Sequence, residues 1–573
     1  MRRLRLLAPL LALIQILAAP VAAPAQTREL LNYPSIEQPV VGDRGMAVSQ
    51  NEAASRVGAE VLARGGNAVD AAVAMSFVMA VTLPRAGNIG GDGFMLVWLP
   101  DRKKALVVDF RSVAPQAAKL DLYLDKDGKE SNRSSRGWIA PGVPGTVAGL
   151  WLAHQRWGKR PWKELLQPAI DMADKGYVLS HDEAFALQWG RERLTASDTA
   201  RKTFVKAGGS WEGGERLRQP ELAWSLRLIA DQGADAFYKG EIARRIDADM
   251  KAHGGLITLA DLAAYRPMVR EPLVGSYRGH TVITVPPASS GGATLLQMLN
   301  MLEAFDLKAM KGGSAESLHV MSEVMKLSYA DRIRFLGDTD FVKTPLTGFT
   351  SKAYAAERVK KVRRDRAMTV KEMGAGDPWA FESKETTHLS VADRDGGAVS
   401  LTYTLGSDFG SGVAIEGAGF LLNNQMNNFA HEAALKAARD GKPLPPNAMQ
   451  PGKRMLSSMT PTMVLKDGRP WLVTGSPGGS TIIEVVLQML VNLIDFDLNV
   501  AQATHLPRIY QGWTDELGLE PGFNPDTAAL LKAKGHDIEP HETMGSTQSI
   551  VIENGRFYGA ADPRRPGATA ATP

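Results

Sequence analysis

Between residues 386 and 405 the chain alternates with a period of two. Thr387, Leu389, Val391, Val399, Leu401, Tyr403 and Leu405, mostly apolar, share one face. Thr386, His388, Ser390, Ser400, Thr402 and Thr404, all polar, share the other. That period predicts two strands with one buried and one polar face. The cluster Asp393-Arg394-Asp395-Gly396-Gly397 supplies the turn between them. Pairing Ala392 with Ala398 sets Thr386 opposite Thr404, so that two hydroxyls meet at the mouth of the sheet. A slip of one residue would undo the match. Ahead of the hairpin the period becomes helical, over 51–64, 67–83, 162–175, 221–232, 241–251, 293–304 and 317–335, and most of 141–335 reads as helix. The 67–83 segment is apolar nearly all round, which predicts a buried helix. Further strands are predicted over 94–98 and 106–110. Two hairpins follow at 462–474 and 549–560, with Asp467-Gly468 and Asn554-Gly555 in their turns.

Composition narrows the class. Of 573 residues, 44% are hydrophobic and 22% charged, as in soluble globular proteins. Cysteine is absent, which excludes disulfides, thiolate zinc sites and a cysteine nucleophile. Arg2, Arg3 and Arg5 precede an apolar run over 6–17, and Ala23-Pro24-Ala25 offers a small-residue cut site. This is the pattern of an export signal over 1–25, too short to stay as a membrane anchor, and it implies a periplasmic or secreted protein. The segment holds three arginines and no acid, so the net charge of +4 falls to +1 without it. Such a chain has no bias toward nucleic acid or anionic lipid. His431-Glu432 has no histidine at 435, so an H-E-x-x-H zinc site fails, and no G-x-S-x-G elbow marks a serine hydrolase. Asp338-Thr339-Asp340 reads as a solvated acidic turn. No metal or organic cofactor is implied.

Several motifs, spread from about residue 40 to the C-terminus, point one way. They are Thr386-Thr387-His388, Val108-Asp109-Phe110-Arg111-Ser112-Val113-Ala114-Pro115, Leu421-Leu422-Asn423-Asn424-Gln425-Met426-Asn427-Asn428-Phe429, Arg454-Met455-Leu456-Ser457-Ser458-Met459-Thr460-Pro461-Thr462, Gly475-Ser476-Pro477-Gly478-Gly479-Ser480 and Asp562-Pro563-Arg564-Arg565. Together they resemble the γ-glutamyltranspeptidases, which are N-terminal-nucleophile (Ntn) hydrolases. The resemblance implies a four-layer α/β/β/α sandwich, made as a precursor that cuts itself between Glu385 and Thr386. A large subunit, 26–385, and a small subunit, 386–573, would then stay associated. It further implies Thr386 as nucleophile and Thr404 as the hydroxyl that orients it. The amides of Gly478 and Gly479 would form the oxyanion hole. Arg111, Ser457 and Ser458 would hold a substrate carboxylate, and Gln425 and Asn428 would line the pocket for its amino group. The chemistry agrees: a threonine hydroxyl needs an adjacent base, and a freed α-amino group, with a pKa of about 7.7–8.0, is one. Glycines before a helix N-terminus expose N–H groups suited to an oxyanion. Residues 430–452 fall where the family can carry a lid.

The family pattern is broken at Asp92, to which no role is assigned, and at Asn427, Asn428 and Gly406, which bear on selectivity. Asp92 stands in the run Gly87-Asn88-Ile89-Gly90-Gly91-Asp92-Gly93, where the family has four glycines; a strand follows, so the run is a turn and not a phosphate loop. Asn427 and Asn428 replace two Asp, and Gly406 replaces an Asn that commonly contacts the ammonium. The expected reaction is transfer of an acyl group from a γ-glutamyl amide such as glutathione to water, an amino acid or a peptide. The alternative is a glutaryl-type (cephalosporin) acylase with weak γ-glutamyl activity. A non-catalytic periplasmic binding protein on the same scaffold is the third reading, and Thr386 and Thr404 argue against it.

Overall fold

Two sheets of seven strands are built from fourteen short segments. In chain order these are β1 (Val40–Gly42), β2 (Gly45–Ser49), β3 (Asp92–Leu99), β4 (Lys104–Asp109), β5 (Met268–Arg270), β6 (Leu273–Tyr277) and β7 (His280–Thr284). After residue 384 come β8 (Glu385–Asp393), β9 (Ala398–Gly406), β10 (Thr462–Lys466), β11 (Arg469–Thr474), β12 (Gln548–Glu553), β13 (Arg556–Ala561) and β14 (Thr569–Ala571). The first sheet runs β14–β2–β8–β9–β3–β4–β5 and the second β1–β13–β12–β11–β10–β7–β6, all antiparallel. The computed structural model describes residues 35–373 and 385–573, with backbone alone at 385 and 386. The export segment 1–25 and the stretch 374–384 ahead of Thr386 lie outside the described residues. Residues 1–38 and 39–573 are separate units, and the fold is that of the second.

Helices cover both outer faces. On the first sheet lie α1 (Glu52–Ala63) and α2 (Ala68–Thr82), with α3 (Trp162–Lys175) packed on α2. On the second lie α4 (Gly291–Leu302), α5 (Ala315–Phe335), α6 (Ile482–Ile494) and α7 (Val500–His505). β8 and β9 face β11 and β12 across the middle, which completes the four-layer α/β/β/α sandwich. All fifteen residues of α2 are buried, as its unbroken apolar surface requires. It starts at an Asn67–Asp70 capping box and gives way at Leu83, before Pro84.

The hairpin differs from expectation in its surroundings. Both its faces are buried: every residue of β9 is buried, as are 387–393 of β8. The apolar face meets the α1–α2 side, while the polar face is pressed against the second sheet. There Ser390 Oγ donates to Gln548 O at 2.8 Å and Ser400 Oγ to Thr474 O at 2.9 Å. Those hydroxyls satisfy backbone groups at the joint between sheets, which a dry apolar face could not do. A second difference lies within 141–335, where β5, β6 and β7 interrupt the helices. β5 and β6 are sheet edges, and β6 alternates partly and fully exposed residues, so their apolar signal is thin.

Candidate active site

β8 and β9 keep the expected register from Ala392–Ala398 to Thr387–Tyr403. There it slips: Glu385 faces Gly406, so an irregularity at Thr386 replaces the plain Thr386–Thr404 pairing. The Thr386 side chain is outside the described residues. Thr404 is buried; its hydroxyl accepts from the Gly406 amide at 2.8 Å, and its cross-strand partner on β3 is Asp92. Two residues along from Thr386, His388 bonds Thr402 Oγ1 at 2.8 Å and Ser390 Oγ at 3.1 Å, and its ring fills the space a Cβ on Gly475 would take. Burial drives the His388 pKa down to about 3, so the ring is neutral. With both nitrogens engaged it is a strut between the sheets and not a general base.

Asp92 ties together the residues expected to bind substrate. Its carboxylate accepts from Arg111 Nη1 at 2.7 Å, from the Ser112 amide at 2.9 Å and from Gln425 Nε2 at 3.4 Å. Arg111 is buried and also donates to the carbonyls of Met455 at 3.2 Å and Leu456 at 3.3 Å, just ahead of Ser457 and Ser458. Asn428 Nδ2 donates to Gln425 Oε1 at 2.6 Å. The line Asn428, Gln425, Asp92, Arg111, Leu456 is thus one hydrogen-bonded chain beside Thr404. Glycine at 91 and 93 lets β3 reach this position: a Cβ on either would come within 2.4 Å of a β9 carbonyl. At Gly406 a Cβ would fall 2.1 Å from Asn424 Oδ1, so the Asn424 carboxamide fills the space of a side chain there.

The loop between β11 and α6 carries Gly478 and Gly479 at φ of +130° and +59°. Among the described residues their amides donate no hydrogen bond, and they stand at the start of a 3₁₀ turn that runs into α6. That leaves two N–H groups for an oxyanion. Ser458 Oγ donates to Gly479 O at 2.5 Å, so this serine fixes the glycine loop where the resemblance has it touching substrate. Ser457 Oγ accepts from the Met459 amide at 3.1 Å. Ser290 holds the same segment from behind, its amide and hydroxyl both donating to Ser457 O at 2.8 and 2.6 Å. That is the task of Pro286-Pro287-Ala288-Ser289-Ser290-Gly291-Gly292.

The 430–452 segment contains a helix, His431–Arg439, and is stitched to the site. Asn447 donates to Asn428 O at 2.6 Å and accepts from the Leu456 amide at 2.9 Å. Asp338-Thr339-Asp340 is a turn exposed only at Thr339 and Asp340. Asp338 is buried and accepts from the Arg454 amide, while Asp340 pairs with Arg270 at 2.6 Å and Arg454 at 3.5 Å. Among the described residues one group has the makings of a metal site, His319, Glu323 and His536 on the far side of the second sheet. Glu323 is already paired with buried Lys326 at 3.1 Å and the two rings bond each other at 2.7 Å, so the cluster is balanced as it stands. Sequence reasoning left Asp92 without a role and passed over Asn447. An acid in a glycine run at the head of a buried strand was the available signal for the first.

A four-layer sandwich, with Thr386 one residue into an inner strand and a pair of glycine amides ahead of an outer helix, is the architecture of an Ntn hydrolase. The gamma-glutamyltranspeptidase family profile matches residues 54–572, and the chain belongs to that family. It is 46% identical over 530 residues to the glutathione hydrolase proenzyme of Escherichia coli (strain K12), covering 92% of this chain and 91% of that one. It is 37% identical over 560 residues to the acylase ACY 1 proenzyme of Pseudomonas sp. (strain SE83), covering 96% and 97%. Among solved structures, the cephalosporin acylase from Bacillus halodurans superposes with a TM-score of 0.84 at 29% identity, covering 95% of this chain and 98% of that one. No helix among the described residues is long and apolar enough to cross a membrane.

Proposed function

We propose that this chain is an exported, self-processing γ-glutamyl amidohydrolase and acyltransferase with Thr386 as its nucleophile. The observation that carries the reading is the meeting of three features at the head of β8. Thr404 adjoins Thr386, the Asp92–Arg111 pair adjoins Thr404, and His388 packs on the start of the loop that presents the Gly478 and Gly479 amides. Cleavage at Glu385–Thr386 frees an α-amine, which takes the hydroxyl proton as the oxygen attacks the acyl carbon. The oxyanion rests on the two glycine amides, the amine leaves with the proton, and an ester remains on Thr386. Water or an acceptor amine then reverses the steps. The large and small pieces, 26–385 and 386–573, stay together as one enzyme.

A glutaryl-type acylase is the second reading, favoured by one observation: Asn428 is neutral and commits its Nδ2 to Gln425. The test of the main reading combines mass spectrometry with kinetics. The purified protein should appear as two pieces, the smaller beginning at Thr386, and should turn over acyl anilides. Thr386→Ala should be one uncut, inactive chain; an active uncut variant would overturn the mechanism. Paired kcat/KM values for γ-glutamyl and glutaryl anilides separate the two readings.

A further inference from the structure

Resting on that reading, we propose that Asp92 is a specificity-determining residue which recognises the ammonium of the acyl donor and makes the site select zwitterionic acyl heads over purely anionic ones.

Asp92 and Arg111 are both buried and form an ion pair at 2.7 Å. The Asp109 carboxylate meets the backbone amide of Arg111, and its charge is answered by Arg270 at 2.6 Å and Arg454 at 3.5 Å. Among the described side chains, the Asn428–Gln425–Asp92–Arg111 line therefore carries one positive and one negative charge. Buried charges are tolerated when each keeps a partner.

A head group with both a carboxylate and an ammonium can replace this pair by exchange. Its carboxylate takes Arg111, its ammonium takes Asp92, and four charges form two balanced pairs. A head group with a carboxylate alone leaves two anions against one guanidinium. A neutral acyl chain leaves the internal pair intact and gains no charged contact. The order follows from the count: γ-glutamyl first, glutaryl behind it.

The surrounding dipoles support this assignment. Asn428 donates to Gln425 and Gln425 donates to Asp92, so successive amides point their N–H groups toward the Asp92 carboxylate. Neutral Asn428 spends its Nδ2 inside the chain, which leaves Asp92 as the acid of that line. Asp92 is also the β3 partner of Thr404, so it lies on the strand next to the one that orients the nucleophile.

The experiment compares γ-glutamyl, glutaryl and pentanoyl anilides by kcat/KM, with the wild type, Asp92→Asn and the double variant Asp92→Asn/Asn428→Asp. The wild type should favour γ-glutamyl over glutaryl at least tenfold. Asp92→Asn should lower that ratio at least tenfold, and the second substitution, which returns an acid to the line, should recover part of it. A ratio unchanged by Asp92→Asn would overturn the proposal. So would an equal rise of both carboxylated substrates over pentanoyl, which would make Asp92 a plug on Arg111. If the variants fail to self-process, inhibition of the wild type decides: L-glutamate should bind at least tenfold tighter than glutarate, and the reverse order overturns the proposal. Loss of turnover with every anilide would instead count against the enzymatic reading itself.

Discussion

Ser458→Ala separates two roles for one hydroxyl. In the structure Ser458 Oγ donates to Gly479 O at 2.5 Å, in a place that leaves the serine only 5% exposed. The same carbonyl accepts from the Ile482 amide, so removing the hydroxyl leaves Gly479 O with one partner. The cost is then that of one hydrogen bond between neutral groups, about 0.5–1.5 kcal/mol, and not that of an orphaned buried carbonyl. Gly479 then keeps only the Ile482 tether, and its N–H is half of the proposed oxyanion hole. If the whole cost falls on placing that N–H in the transition state, kcat drops about 2- to 13-fold with KM little changed. Steady-state kinetics on a γ-glutamyl anilide, with Ser457→Ala alongside, gives the answer. A KM raised tenfold or more for carboxylate-bearing donors at constant kcat would refute the positioning role and make Ser458 a direct carboxylate ligand.

Three further outcomes are expected. Thr404→Ala should slow self-cleavage about 2- to 13-fold by loss of one neutral hydrogen bond, read as the fraction of uncut chain over time on a denaturing gel. Stability should fall as pH drops from about 6.5 toward 3, because unfolded His388 protonates near 6.5 while the folded ring, with its pKa lowered to about 3, does not. The stability is complete above that window and is lost by roughly 1.4 kcal/mol per pH unit at full effect. Denaturant unfolding between pH 7 and 4 should show a shallower fall for His388→Gln, and an identical slope would remove His388 from the account. N-terminal sequencing of the mature large piece should begin near Gln26, and a piece that retains Arg2 would refute export through 1–25.

Much of the fold was legible because local and long-range signals agreed. The helix over 67–83 had a capping Asn67, an apolar interior and Pro84 at its end, and the observed helix is Ala68–Thr82. The hairpin register followed from period-two alternation on both arms. What escaped was set by partners distant in sequence. β6 and β7 join through a turn at Arg278-Gly279, both at positive φ, yet as short strands among helices they left little periodicity to read. The polar face of the hairpin was legible as polar but not as buried, because sequence cannot tell water from a second sheet as the partner of a hydroxyl. Asp92 meets Arg111 nineteen positions away, and Ser458 meets Gly479 twenty-one away, so neither ion pair nor tether could be seen along the chain.

The mixing of strands from either side of residue 386 has a consequence for the life of the molecule. β8, β9 and β14 alternate with strands from the earlier part of the chain in one sheet, and β10–β13 sit between β1 and β7 in the other. A cut at 385–386 therefore yields two polypeptides of which neither owns a complete sheet. The uncut chain finds its partners by an intramolecular search, at a rate independent of dilution. The cut pair, once unfolded, has to meet in solution and thread fourteen strands between two strangers. With the proposed cut, maturation would work as a ratchet: the chain is assembled once, while it is still continuous, and a molecule denatured afterwards has lost the covalent memory of how its sheets were laid.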